Sequence, residues 1–97
     1  MENQININDF AYQLEDIIVV IHKYDDGYYF TILDYDYREI NGGVYDNIDI
    51  DIHTASKDIV DYIKNNMDRN GVEGKISKDS KMLPLDYEKI VEKIKKK

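Results

Sequence analysis

The chain has no cysteine and no tryptophan, and only one proline in 97 residues. Without thiols, disulfide staples, thiolate nucleophiles and cysteine-ligated zinc are excluded. The lack of cysteine fits a cytoplasmic protein. The longest apolar run, Ile17 to Ile21, is far too short to span a bilayer. The opening residues Met-Glu-Asn-Gln carry no cationic region followed by a long apolar stretch, so no secretory signal is expected. Basic residues are scarce in the first half. Residues 1–54 hold 12 Asp/Glu and 2 Lys/Arg, a charge of −10, whereas residues 55–97 hold 8 and 11, a charge of +3. An acidic surface repels nucleic acid and anionic membranes and attracts basic partners at long range.

A chain of this length is one domain, residues 1–97, with one modest core. Its organising stretch is Ile17 to His53. Ile17–Tyr24 is rich in β-branched residues and predicts a strand, and Asp25-Asp26-Gly27 predicts a hairpin loop. A second strand is expected from Tyr28 to Ile40. A turn follows at Asn41-Gly42-Gly43, and then a third strand from Val44 to His53, in which Ile48, Ile50 and Ile52 alternate with polar residues. Before the sheet, Phe10, Leu14 and Ile17 or Ile18 recur at helical spacing. They predict a helix over about Asn8 to Glu15, capped by Asn6 or Asn8. After it, Thr54-Ala55-Ser56 opens a helix with the stripe Ile59, Val60, Ile63 and Met67, stopped by Asn70-Gly71. Lys75-Ile76 is expected as a short extended piece at most. Pro84 and Asp86 open a last helix with Tyr87, Ile90, Val91 and Ile94 on one face. The expected fold is α+β: an N-terminal helix, a three-stranded antiparallel meander, and two C-terminal helices packed on one sheet face.

No motif names a reaction. Gly71-Val72-Glu73-Gly74-Lys75 lacks the spacing of a phosphate-binding P-loop. It matches the Gly-x-x-Gly loop of RNA-binding KH domains, but Glu73 would oppose phosphate there. The serines sit in cap or loop contexts, without a Ser-His-Asp arrangement. Asp49-x-Asp51-x-His53 offers oxygen and nitrogen ligands, but an extended strand spreads them too far apart for one ion. The expectation is therefore no catalytic residue, no metal and no cofactor.

The charge layout is the strongest functional signal. With a four-residue loop at Asn41 to Val44, Asp34, Asp36, Asp49 and Asp51 share one sheet face, with Asp36 opposite Asp49 and Asp34 opposite Asp51. Residues i and i+2 on a strand stand about 6.6–6.8 Å apart, a spacing similar to that of phosphates along a nucleic-acid strand. Tyr24, Tyr28 and Phe30 fall on the same face, and tyrosine is favoured at interfaces. These seven residues are the expected partner-binding set. In size, acidity and element order the chain resembles the small acidic proteins that phages make against host nucleases, anti-CRISPR proteins among them. The resemblance implies an inhibitor that occupies the nucleic-acid-binding surface of a basic partner. The alternative is a structural module that forms a homodimer through a sheet edge.

Overall fold

The computed structural model describes residues 9–47 and 49–95, without the side chain of Asp9. Four strands come first: β1 (Asp9–Leu14), β2 (Ile17–Tyr24), β3 (Gly27–Asp34) and β4 (Glu39–Tyr45). Helix α1 (Ile52–Asn65), a short strand β5 (Leu83–Leu85) and helix α2 (Tyr87–Lys95) follow. The sheet is antiparallel with the order β4-β3-β2-β1-β5.

This corrects the expected helix–meander–helices arrangement. The segment read as an N-terminal helix is β1, paired with β2 from Asp9↔His22 to Leu14↔Ile17. Phe10 and Leu14 fit helical spacing, but Phe10, Tyr12 and Leu14 also fit the two-residue period of a strand. The proposed capping residues Asn6 and Asn8 lie outside the described residues. The long second strand is two strands, broken after Asp34. Val44 to His53 is not a strand either, since β4 ends at Tyr45 and α1 starts at Ile52. Asn41-Gly42-Gly43 lies inside β4 rather than in a turn.

The break at Asp34 has a local cause. Tyr37 N–H donates to the Asp34 carbonyl at 2.9 Å, and Asp34 N–H donates to the Arg38 carbonyl at 2.9 Å. The Asp34 carboxylate also accepts from the amides of Asp36 (2.8 Å) and Arg38 (3.0 Å). Tyr37 takes φ 65°, the left-handed position that closes a three-residue hairpin. Beyond the turn, Ile32↔Asn41 is followed by Leu33↔Glu39, so Ile40 is an extra residue in β4.

The helices cover opposite faces of the sheet, not one. Tyr12, Leu14, Ile17, Val19, Ile21, Tyr28, Phe30 and Ile32 meet Ala55, Ile59, Val60 and Ile63 of α1. Ala11, Ile18, Val20 and Leu33 meet Ile90 of α2. This three-layer arrangement explains the unbroken Ile17–Ile21 run, because the central strand β2 is buried on both sides. Burying each such side chain contributes about 1.5–3 kcal/mol. The Gly-x-x-Gly segment is a turn: Gly71 and Gly74 have positive φ, and Val72 between them is buried in the α1-side core.

Candidate functional site

The four aspartates expected to share a face do not. Asp34 and Asp36 belong to the β3–β4 turn, whereas Asp49 lies in the loop before α1 and Asp51 is the N-cap of α1. The two pairs sit at opposite ends of β3, which spans roughly 23 Å over seven steps. Neither expected cross-strand pairing occurs, because β4 has ended before Asp49. Two of the three aromatic candidates are core residues. Tyr28 is fully buried, and its hydroxyl donates to the Ile50 carbonyl at 2.6 Å. Phe30 is also buried, facing α1. Both face the same way as Ile21 and Val19, because Ile21 pairs with Phe30 and Lys23 with Tyr28. Only Tyr24 is exposed as expected, at 53%. It lies against His22 (ring centroids 6.1 Å) and Tyr29 (5.1 Å) on the α2 side.

The antiparallel order brings a different set of carboxylates together. The β2–β3 turn carries Asp25 and Asp26. Tyr45 pairs with Tyr28, so the chain leaving β4 passes this turn. A Cβ on Gly27 would stand 3.0 Å from the Tyr45 carbonyl oxygen and 3.7 Å from the Cα of Asp46, so only glycine fits this close approach comfortably. The Tyr28–Ile50 hydrogen bond ties the Asp49–Asp51 segment to the same end. Asp25, Asp26, Asp46, Asp49 and Asp51 are all exposed there. Lys23 stands among them, its ammonium 5.7 Å from the centre of the Tyr28 ring. Asp46, and Asp25 and Asp26 as a surface feature, were missed in the sequence. Asp25 and Asp26 were legible as turn residues, but nothing local showed that the chain at Asp46 returns beside them.

Three protons register this environment. Tyr29 donates to Asp26 at 3.1 Å, and this hydrogen bond, aided by the charges of Asp26 and Asp46, holds its phenol above the usual range. Tyr45 donates to Asp58 of α1 at 2.6 Å, which raises its phenol likewise. Asp51 accepts from the Thr54 amide at 2.7 Å, which holds its carboxyl below the usual range. These are structural uses of carboxylates: turn, cap and cross-link.

His53, the third member of the Asp49-x-Asp51-x-His53 set, packs edge-on against Phe10 at 5.5 Å. Among the described residues no group of three His, Asp or Glu side chains is arranged to hold a metal ion. None of the described helices is long and apolar enough to cross a membrane.

Neither the curated proteins nor the solved structures include a match to this chain. Residues 6–97 match a family defined by sequence, and so cover every element described above. The chain belongs to the large polyvalent protein-associated domain 16 family.

Proposed function

We propose that this domain works by binding rather than catalysis, and that its acidic end settles on a basic surface of a partner protein. The observation that carries this reading is the convergence of Asp25, Asp26, Asp46, Asp49 and Asp51 at one end of the sheet. Carboxylates so grouped add their fields and accelerate encounter with a cationic surface. Where that surface serves nucleic acid, its occupation makes the domain an inhibitor by mimicry, in the manner of anti-CRISPR proteins. The mimic is then a compact acidic end and not a ladder of aspartates along a sheet face. No cofactor, membrane or direct contact with nucleic acid enters this reading. The family description, association with large polyvalent proteins, is consistent with a module that acts by contact.

The test is capture from a cell lysate on the immobilised domain at low salt, followed by elution with competing nucleic acid. The expected result is a basic, nucleic-acid-binding protein released by the competitor and by raised salt. Capture of no such protein would sink the reading.

A further inference from the structure

We infer that the outer edge of β4, with the groove between it and α1, takes an extended segment of a partner as a sixth strand. The inference rests on the proposed reading of the domain as a binder of basic proteins, and it names where one segment of that partner lies.

Among the described residues β4 pairs as a strand only with β3. The Arg69–Gly71 segment touches it at Asn41 and Ile40, and Gly42 and Val44 beyond are exposed. Along a strand, successive residues direct their backbone groups alternately to the neighbour and away from it. The Gly42 amide donates to its own neighbour's side chain, Asn41 Oδ1, at 2.7 Å. Gly42 and, two residues on, Val44 thus turn their backbone groups outward. Natural edges are usually blunted by proline, by lysine or by a covering element. This one has a bulge at Ile40, but past it carries Gly42-Gly43 and a Val44 that is 53% exposed.

Beside the edge lies a mainly apolar groove of about 310 Å³. Phe30, Tyr62, Tyr45 and Ile59 line it along with Gly43. Gly43 opens it, because a Cβ there would stand 2.6 Å from the Phe30 ring. Tyr62 is 48% exposed and meets Phe30 edge-on at 6.3 Å. In an added strand, alternate side chains point to the α1 side, where one apolar side chain fills the groove. The surrounding charge selects the rest of the segment. Asp46 lines the groove, and Asp58 and Asp61 flank Tyr62 on α1. The occupant is therefore an extended segment with one apolar anchor between lysines or arginines.

A second copy paired about Gly42 or Gly43 fits less well. Opposed residues of an antiparallel pair turn their backbone groups both toward the partner or both away, so Gly42 would face Gly42 or Val44 of the other copy and Gly43 would face Asn41 or Gly43. Neither asparagine nor glycine is an apolar anchor for the groove.

The experiment is an NMR titration of the labelled domain with nine-residue peptides that carry lysines at both ends and leucine, phenylalanine or tyrosine at the centre. Three comparisons accompany it: the same peptides N-methylated on alternate amides, glutamate-ended peptides, and the Val44→Pro and Tyr62→Ala variants. Expected are shifts of the Gly42 and Val44 amides and of Tyr62. Affinity falls about tenfold or more on N-methylation or with Val44→Pro, as lost backbone hydrogen bonds require. Glutamate ends abolish binding, and Tyr62→Ala, whose ring is half exposed, weakens it while keeping the fold. Binding at the Asp25–Asp26 end, with unmoved Gly42 and Val44 and no effect of N-methylation, overturns the edge while leaving the electrostatic reading standing. Failure of every lysine-ended peptide, with a lysate partner still captured, overturns the edge alone. If the domain is a dimer that Val44→Pro dissolves, the edge belongs to a second copy and the inference is wrong.

Discussion

Under α1 the sheet contributes aromatic and aliphatic side chains from β1, β2 and β3, and the core extends to Val72 and Ile76. Under α2 the buried cluster is smaller: Ala11, Ile18, Val20, Leu33 and Ile90, with Tyr37, Leu85 and Tyr87 partly buried beside it. The α2 side also leaves Tyr24, at the end of β2, and Val44, on the edge strand β4, exposed. A nine-residue helix cannot cover a five-stranded sheet. The fold's stability is thus concentrated on one face, while the acidic end and the open edge are available for contact.

The largest expected effect tests that asymmetry. Ile63→Ala removes a fully buried side chain facing the sheet and should cost about 2–5 kcal/mol. Ile90→Ala should cost clearly less, because its shallower cluster can relax into the space. Urea unfolding of both variants checks this, and a larger loss at Ile90 would reverse the ranking of the two faces.

Gly43→Val sharpens the comparison on the α1 side. The new side chain meets the Phe30 ring and should destabilise by about 1–3 kcal/mol, read from the same unfolding curves. Helix caps come next. Asp51 caps α1, and Asp86 accepts from the Glu88 amide at the start of α2 at 3.0 Å. Asp51→Ala should lower the melting temperature more than Asp86→Ala, since α1 holds the larger core. The effect depends on pH with a definite sign. The folded Asp51 carboxyl titrates below its ordinary value of 3.8, so its stabilisation is complete above that value and is lost as pH falls through the folded one. The gap between parent and Asp51→Ala should accordingly close in acid. The smallest effect is expected at Ser56, whose hydroxyl is buried in α1 with no hydrogen-bond partner. Ser56→Ala should be neutral or stabilising by up to about 1 kcal/mol, measured by thermal melting.

The parts of this fold legible in the sequence were those with a single local reading. Ile17–Tyr24 is a strand with the bounds that its β-branched run suggested. The turn after it is Asp25-Asp26, one residue shorter than the expected Asp25-Asp26-Gly27 loop, because Gly27 already pairs with Tyr24. The α1 stripe Ile59, Val60 and Ile63 is buried as its spacing required, and α2 lies where Tyr87 and Ile90 placed it. Elsewhere local signals were ambiguous. Asn41-Gly42-Gly43 has turn composition, yet Gly43 is there because the Phe30 ring fills the space of its Cβ. The real turn at Asp34–Arg38 carries tyrosine at the left-handed position, where glycine or asparagine would have marked it. Ile50 and Ile52 alternate like strand residues, but Asp51 between them caps a helix. The pairing of β5 with β1 through Tyr12↔Pro84 joins residues far apart in sequence, which no local pattern encodes. The candidate site suffered most, because side-chain parity flips with a one-residue shift. The β2–β3 loop is Asp25-Asp26 alone, with Tyr24 paired to Gly27, which turns Tyr28 and Phe30 into the core, and β4 ends before Asp49. The acidity of the first half was legible, but its gathering at the sheet end was not.

The most direct test of the binding claim is the triple variant Asp25→Asn, Asp26→Asn, Asp46→Asn, which removes three charges and keeps side chains of the same size. Its association rate with the protein captured from lysate would be measured at low and high salt, beside a thermal melt. The acidic-end reading predicts an intact fold, slower association at low salt, and a difference from the parent that shrinks as salt rises. Unchanged association at low salt by a folded triple variant would contradict it.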